Sequence, residues 1–248
     1  MEIENARVVF ITGVSKGSGE SLALVLLERD DTRVIGIGRR DSPRLTHARY
    51  AFQACDLADT ERLEAAVAPL FERVAGQGFG SVCLINNAAV ATPVGLIGEV
   101  DFSESARAMA VNLTNPLGLC NLFCRIFAGR PGNRRIINIS SGAAHMAVPG
   151  IGVYSIGKSG LEMLTRVIAE ERRDTDFACI AVQPGILDTE MQASMRHYPP
   201  NQLPSAELFR RYRENNLLRS PESASREIVA RFVLATVQNG RIYELSAR

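Results

Sequence analysis

The amino-acid sequence predicts an α/β fold, in which one doubly wound parallel sheet carries helices on both of its faces. Short runs of apolar and β-branched residues recur along the chain, as is typical of buried strands. Stretches with helical periodicity separate these runs, and such alternation indicates a parallel sheet. No linker, low-complexity tract or internal repeat interrupts the alternation, so residues 1–248 are predicted to form a single domain.

The elements of this fold follow one another in a regular order. The predicted strands are residues 7–12, 33–38, 81–86, 134–140, 177–183 and 241–245. The predicted helices are residues 20–30, 59–74, 103–127, 159–173 and 224–237. Residues 191–220 break the alternation because they are polar and contain prolines, and we predict that they form an insertion or lid on the substrate side.

The overall composition is typical of a globular protein, with 46% hydrophobic and 22% charged residues. The net charge of +1 gives no reason to expect nucleic acid or a membrane surface as a partner. No apolar run approaches the roughly 20 residues that cross a bilayer, and the first residues lack the basic region of a signal peptide. A cytoplasmic location is therefore expected. The cysteines and histidines are scattered, so no metal site is expected.

A glycine-rich loop, TGVSKGSGES, follows the first predicted strand and precedes a helix. Glycines let the chain turn tightly and approach a pyrophosphate, and the N-terminus of the following helix favours an anion. The loop is therefore predicted to bind the phosphates of a dinucleotide. Its expected contact residues are Gly13, Ser15, Lys16, Gly17, Ser18 and Gly19.

The end of the second predicted strand distinguishes two dinucleotides. An NAD enzyme carries an acid there, which binds the ribose 2′-hydroxyl, whereas this chain has Gly38 followed by Arg39 and Arg40. Guanidinium groups suit a 2′-phosphate, and Lys16 adds a further positive charge. Asp41 lies further along the turn. The sequence favours NADPH over NADH; the alternative is that both arginines are solvated loop charges.

Residues 152–160, GVYSIGKSG, fit two different motifs. From Gly152 the segment matches the P-loop of nucleotide hydrolases, and from Tyr154 it matches Tyr-x-x-x-Lys, a pair on one helical face. A P-loop follows directly on a buried strand, but the nearest predicted strand ends more than ten residues earlier. The pair Tyr154 and Lys158 is therefore favoured, with Ser141 upstream at the end of a strand, and a P-loop hydrolase is the remote alternative.

Six short motifs occur in an order that resembles the short-chain dehydrogenase/reductase superfamily. They are TGVSKGSG at 12–19, NNAA at 86–89, VN at 111–112, ISS at 139–141, YSIGK at 154–158 and PG at 184–185. PGILDTEMQ, residues 184–192, resembles the branch of sepiapterin reductases and benzil reductases. Ser18 and Ala89 depart from the usual isoleucine and glycine, and neither is expected to prevent cofactor binding.

The resemblance implies a Rossmann-like carbonyl reductase that transfers a hydride from NADPH to a ketone or diketone. In this interpretation Tyr154 is the general acid, Ser141 orients the substrate oxygen, and Lys158 lowers the pKa of the tyrosine. Lys158 also binds the nicotinamide ribose, and Asn112 holds a water that connects the lysine with solvent. A catalytically idle protein that senses NADP(H) or binds a partner is the alternative.

The resemblance also implies further cofactor contacts, a substrate class and an assembly. Besides the glycine loop, Arg39 and Arg40, the expected contacts are Asp56, Leu57, Asn87, Ala88, Tyr154, Lys158, Pro184, Gly185, Ile186, Leu187 and Thr189. His145 is expected near the substrate pocket. The substrate is expected to be a small carbonyl compound, and the chain is expected to form a homodimer or homotetramer.

Overall fold

The computed structural model describes residues 6–245, whose centre is a sheet of seven strands. The strands are β1 (Arg7–Thr12), β2 (Thr32–Gly38), β3 (Tyr50–Ala54), β4 (Ser81–Asn86), β5 (Asn133–Ile139), β6 (Phe177–Gln183) and β7 (Ile242–Glu244). They lie in the order β3-β2-β1-β4-β5-β6-β7, and every neighbouring pair is parallel. The predicted fold class is confirmed.

Helices connect the strands and cover the sheet. They are α1 (Gly17–Leu27), α2 (Leu63–Gln77), α3 (Phe102–Met109), α4 (Asn115–Ile126), α5 (Gly152–Glu171), α6 (Glu190–Met195), α7 (Ala206–Glu214) and α8 (Pro221–Ile228). A π-helical turn, Ala110–Thr114, joins α3 to α4, and a second one, Val229–Leu234, extends α8. A short 3-10 turn, Gly142–Ala144, follows β5.

The alternation of side chains along β1 explains why helices cover both faces of the sheet. Val8 and Phe10 belong to an apolar cluster that includes side chains of α2 and α4. Val9 and Ile11 belong to a second cluster, with side chains of α1 and α8. Successive residues of a strand project to opposite faces, and all four side chains are 2% exposed or less. The sheet is therefore buried on both faces, as the continuous apolar run of this strand predicts.

Strand β3 is the element that the sequence analysis missed. Its residues, YAFQA, are partly buried or exposed, and it lies at the edge of the sheet beside β2. An edge strand needs no continuous apolar run, so its sequence resembles that of a loop. Helix α5 also differs from its prediction, since it begins at Gly152, seven residues before the expected start.

Residues 191–220 contain helix α7 and most of α6. They pack over a small apolar cluster of their own, separate from the two clusters on the faces of the sheet. Its buried members are Ala91, Val94, Ile151, Met195, Leu203 and Ala206.

The fold brings four loops to one edge of the sheet. The loops after β1, β4, β5 and β6 leave neighbouring strands at their carboxyl ends. Ligands bind at this edge in open parallel sheets, close to the point where the strand order reverses, which here lies between β1 and β4. Within residues 6–245, none of the helices is both long and apolar enough to cross a membrane.

Candidate active site

Helix α5 carries Tyr154 and Lys158 one helical turn apart. The Lys158 side chain is buried, and its Nζ lies 5.7 Å from the centroid of the Tyr154 ring. The same Nζ donates a hydrogen bond to the carbonyl oxygen of Ile139 at 2.7 Å. Because Ile139 is the last residue of β5, this bond joins the helix to the strand that leads to Ser141.

Ser141 lies two residues beyond the end of β5 and begins the 3-10 turn. Its Oγ accepts a hydrogen bond from the backbone N–H of Ala143 at 3.2 Å. A side-chain hydrogen bond with Ser141 is also among the causes that act on the pKa of Tyr154. The structure therefore brings Ser141, in the turn after β5, close to Tyr154 and Lys158, which share α5.

Burial shifts the pKa values of both Lys158 and Tyr154. It lowers the pKa of Lys158 to about 8, because the ammonium loses its hydration. Desolvation raises the pKa of Tyr154, and the hydrogen bond from Ser141 opposes that change. The predicted lowering of the Tyr154 pKa is therefore wrong, because desolvation outweighs the hydrogen bond from Ser141 and Lys158 is not among the causes of the shift.

Asn112 lies in the π-helical turn between α3 and α4 and is buried. Its Oδ1 accepts from the N–H of Val90 at 2.9 Å, and its Nδ2 donates to the carbonyl of Val90 at 2.8 Å. A Cβ on Gly157 would lie 2.9 Å from the Asn112 Cβ, so α5 packs closely against it. The amide thus positions the segment after β4, and the expected water-holding role stays a prediction.

At two positions of the glycine loop, Gly13 and Gly19, the surrounding backbone leaves no space for a side chain. A Cβ on Gly19 would lie 2.1 Å from the carbonyl oxygen of Gly13 and 2.6 Å from Nδ2 of Asn87. Gly13 has a φ of +74°, and its added Cβ would lie 2.9 Å from the Cα of Ala88. Helix α1 begins at Gly17 without a side-chain cap. Its N-terminal amide groups therefore face the loop, in the arrangement that binds a pyrophosphate.

Asn87 and Ala88 hold the segment after β4 against this loop. The backbone N–H groups of both residues donate to Oγ1 of Thr12, each at 2.9 Å. Nδ2 of Asn87 donates to the carbonyl oxygens of Thr12 and Gly13 at 3.0 and 3.3 Å. These residues, predicted as cofactor contacts, therefore also fix the shape of the glycine loop.

The charged residues after β2 are exposed at the same edge of the sheet. Arg39 Nε lies 3.9 Å from Oδ1 of Asp56, and both Arg39 and Arg40 are exposed. The carboxylate of Asp41 accepts from the Tyr50 hydroxyl at 2.5 Å and from the N–H of Ser42 at 2.8 Å. Asp41 is thus engaged by its neighbours. Arg40 is exposed, and Arg39 shares its charge with Asp56 through a long, solvent-exposed ion pair.

The segment after β6 forms the opposite wall of the cleft. Pro184 is buried, and Gly185 has a φ of +77°. Thr189 caps α6 through its Oγ1, and its Cγ2 would lie 3.8 Å from a Cβ on Gly17. Ile186 and Leu187, also predicted as cofactor contacts, are half-buried in this segment, whereas Leu57 is buried after β3.

The two walls are joined by an ion pair between Lys16 and Glu190, the first residue of α6. Both side chains are more than half exposed. Lys16 is therefore paired across the cleft in this structure, and it would have to leave Glu190 to reach a phosphate.

The P-loop interpretation of residues 152–160 does not agree with the fold. Gly152 opens α5, but the preceding strand β5 ends at Ile139, and irregular chain with a 3-10 turn lies between them. A P-loop instead connects a strand directly to a helix. In residues 6–245, no three His, Cys, Asp or Glu side chains are grouped as metal ligands would be.

The sequence analysis did not find one buried acid in this region. Glu162 is 1% exposed and lies one turn after Lys158 on α5. The signal that identifies it is its position, because it lies four and eight residues after Lys158 and Tyr154 and so shares their helical face.

Comparison with known proteins identifies the family. A family model described as short chain dehydrogenase matches residues 7–199. The chain belongs to the short-chain dehydrogenase family. It is accordingly an oxidoreductase acting on carbonyl or alcohol groups, in a family that uses nicotinamide cofactors.

Individual relatives agree with the expected branch. The chain is 34% identical over 237 residues to a benzil reductase ((S)-benzoin forming) of Bacillus subtilis, covering 95% of this chain and 96% of that protein. It is 31% identical over 207 residues to a sepiapterin reductase of Xenopus tropicalis, covering 75% and 76% of the two chains. A solved short chain dehydrogenase/reductase of Saccharomyces cerevisiae superposes with a TM-score of 0.79 at 26% identity, covering 96% of each chain. The resemblance to this branch is confirmed.

Proposed function

We propose that this protein is an NADPH-dependent carbonyl reductase that reduces a ketone or diketone, with Tyr154 as the general acid. The observation that carries the proposal is the grouping of Ser141, Tyr154 and Lys158 at the edge of the sheet where the glycine loop lies. When bound there, the reduced nicotinamide supplies the hydride that goes to the carbonyl carbon.

The protonation states of the two α5 residues suit reduction. A Tyr154 whose pKa is raised by desolvation keeps its proton at neutral pH, and that proton goes from Oη to the oxygen of the substrate. Ser141 donates to the same oxygen and so orients the carbonyl. Lys158, with a pKa of about 8, returns a proton to the tyrosine more readily than an ordinary lysine would. Asn112 is proposed to hold the water that connects Lys158 with solvent.

The residues around the cleft fit a dinucleotide that carries a 2′-phosphate. The space beside Gly13 and Gly19 excludes a Cβ, which leaves backbone N–H groups for the pyrophosphate. Arg39 and Arg40 favour a 2′-phosphate, and Gly38 leaves no acid to repel it. This is why NADPH is proposed in preference to NADH.

The Bacillus subtilis relative supports an aromatic diketone as the first substrate to test. Residues 191–220 are proposed as the lid over that substrate. Homodimers or homotetramers are proposed on the basis of a stripe on α5, where Ile156, Met163 and Val167 are 56%, 54% and 44% exposed. A cytoplasmic location is part of the same proposal.

The experiment is a measurement of NADPH and NADH oxidation with benzil, sepiapterin and simple aldehydes. We expect turnover with at least one carbonyl compound and a clear preference for NADPH. Tight NADPH binding without turnover of any carbonyl compound would favour the NADP(H)-sensing alternative instead.

A further inference from the structure

Glu162 is a buried carboxylate in the middle of the helix that carries Tyr154 and Lys158. It is 1% exposed, and burial of an acid is costly unless its oxygens are hydrogen-bonded or paired with a cation. It takes no part in the proton transfer described above, so its retention at this place needs a separate explanation.

Two side chains donate hydrogen bonds to this carboxylate. Oε1 accepts from the Ser140 hydroxyl at 2.6 Å and from Nε2 of Gln183 at 2.8 Å. Oε2 accepts no hydrogen bond within residues 6–245, and Nε2 of His145, a half-exposed residue, lies 2.7 Å from it. The imidazole is therefore the group that faces the second oxygen.

These partners lie on both sides of Ser141. Ser140 immediately precedes it, and His145 follows the 3-10 turn that Ser141 begins. Glu162 therefore holds the two ends of the turn against α5, which also carries the tyrosine that Ser141 contacts. The hydrogen bond from Ser159 Oγ to the carbonyl of Ala144, at 2.5 Å, holds the exposed side of the same turn.

We infer that Glu162 is a positioning residue, which with His145 holds the Ser141 hydroxyl against Tyr154. The inference rests on the proposed function and adds to it a buried acid and the imidazole that faces it. The effect of Glu162 on the reaction passes through Ser141, so it should change the rate of the chemical step rather than the binding of NADPH.

A nearly isosteric variant separates the two contacts of Glu162. In Glu162→Gln the amide oxygen still accepts from Ser140 and Gln183, while an NH₂ group replaces the carboxylate oxygen that faces His145. The variant therefore keeps the hydrogen bond to the residue before Ser141 and removes the negative charge beside the imidazole.

The experiment compares steady-state kinetics of four variants with NADPH and a carbonyl substrate. Glu162→Leu should lower kcat about tenfold or more, with the Kd of NADPH within about twofold of wild type. Glu162→Gln should keep kcat within about threefold of wild type, because the hydrogen bonds from Ser140 and Gln183 remain. Adding His145→Ala to Glu162→Gln should change kcat little further, because the charge that attracts the imidazole is already removed. Glu170→Gln, on the exposed side of α5, should match wild type.

Two outcomes would overturn the inference while leaving the proposed function intact. One is a wild-type kcat in Glu162→Leu when Tyr154→Phe is inactive, and the other is an equal loss of kcat in Glu162→Gln and Glu162→Leu. Crystal structures provide a test that needs no turnover and also covers a Glu162→Leu protein of low stability. The Ser141–Tyr154 hydrogen bond should be present in wild type and lost in His145→Ala and Glu162→Leu; its persistence in both variants contradicts the inference.

Discussion

The glycine loop, which is proposed to bind the cofactor, runs so close to Ala88 and Asn87 that a Cβ does not fit at Gly13 or Gly19. Residues 191–220, which are proposed to cover the substrate, rest instead on a small cluster of apolar side chains. We call these two parts the cofactor wall and the substrate wall. The first wall is defined by excluded volume and by hydrogen bonds to Thr12. The second wall is defined by packing around Leu203, which is completely buried.

The difference suits the two walls to the different kinds of specificity that we propose for them. At Gly13 and Gly19 the cofactor wall presents backbone N–H groups instead of side chains. These groups stay the same whichever substrate is bound, which suits the binding of a single cofactor. A wall built from side chains on a small separate core can change shape with few substitutions, which suits recognition of varied substrates. Each of the following experiments substitutes residues of one wall, or Lys158 between the walls. The measurement then shows whether binding at the other wall also changes.

The largest effect is expected for Gly19→Ala. The new Cβ would meet the Gly13 carbonyl oxygen at 2.1 Å, so the loop must open and NADPH binding should fall by at least about 100-fold. Gly76→Ala is the matched control, because nothing lies within 4 Å of its Cβ and α2 should gain about 0.5–1 kcal/mol. Calorimetric titration with NADPH measures both variants, and near-normal binding by Gly19→Ala would show that the wall is not defined by excluded volume.

Lys158→Met tests how much the buried ammonium group of Lys158 lowers the free energy of unfolding. The folded pKa of about 8 lies below the ordinary 10.5, so the folded protein binds the proton more weakly, and wild-type stability should rise between those two pH values. Removing the lysine should stabilise the protein at pH 7 by up to about 3 kcal/mol and abolish reduction. Urea unfolding at about pH 7 and pH 10 measures this change. If Lys158→Met is less stable than wild type at neutral pH, the hydrogen bond from Lys158 to Ile139 stabilises the fold by more than desolvation of the ammonium destabilises it.

The double variant Arg39→Gln/Arg40→Gln changes the charge of the cofactor wall without changing its shape. The KM for NADPH should rise about 10- to 100-fold, because two charge-assisted contacts to a 2′-phosphate are lost. The KM for NADH should stay nearly constant. Arg33→Gln, exposed at the start of β2, serves as the control for a change of net charge. Equal increases for both cofactors would contradict the assignment of these arginines to the 2′-phosphate.

Leu203→Ala acts on the substrate wall alone. A cavity in the small cluster should loosen residues 191–220 and raise the KM of the carbonyl substrate by about tenfold. The Kd of NADPH should stay within about twofold, because the glycine loop has its own supports. Parallel losses of cofactor and substrate binding would show that the walls are not independent.

The sequence predicted the parts of the molecule that depend on local chemistry. Six of the seven strands, the glycine loop and the grouping of Ser141 with Tyr154 and Lys158 follow from apolar runs, glycine spacing and motif order. Strand β3 was missed because a partly exposed edge strand has no apolar run. The direction of the Tyr154 pKa was wrong because desolvation depends on residues that only the folded chain brings around the phenol.

Glu162 is a second residue whose role depends on contacts that form only in the folded chain. In the sequence it resembles one more charge on an amphipathic helix. Its burial follows from contacts with Ser140, directly after β5, and Gln183, at the end of β6, which only the folded chain brings to it. Lys16 is a similar case, since its pairing with Glu190 connects positions 174 residues apart.

The most direct test of the central claim is the kcat of Tyr154→Phe with NADPH and a carbonyl compound that wild type reduces. The variant keeps the ring beside Lys158 and removes only the hydroxyl that donates the proton. We predict a decrease of about 10²- to 10⁴-fold, with an unchanged Kd for NADPH. A kcat within about twofold of wild type would contradict the assignment of Tyr154 as the proton donor.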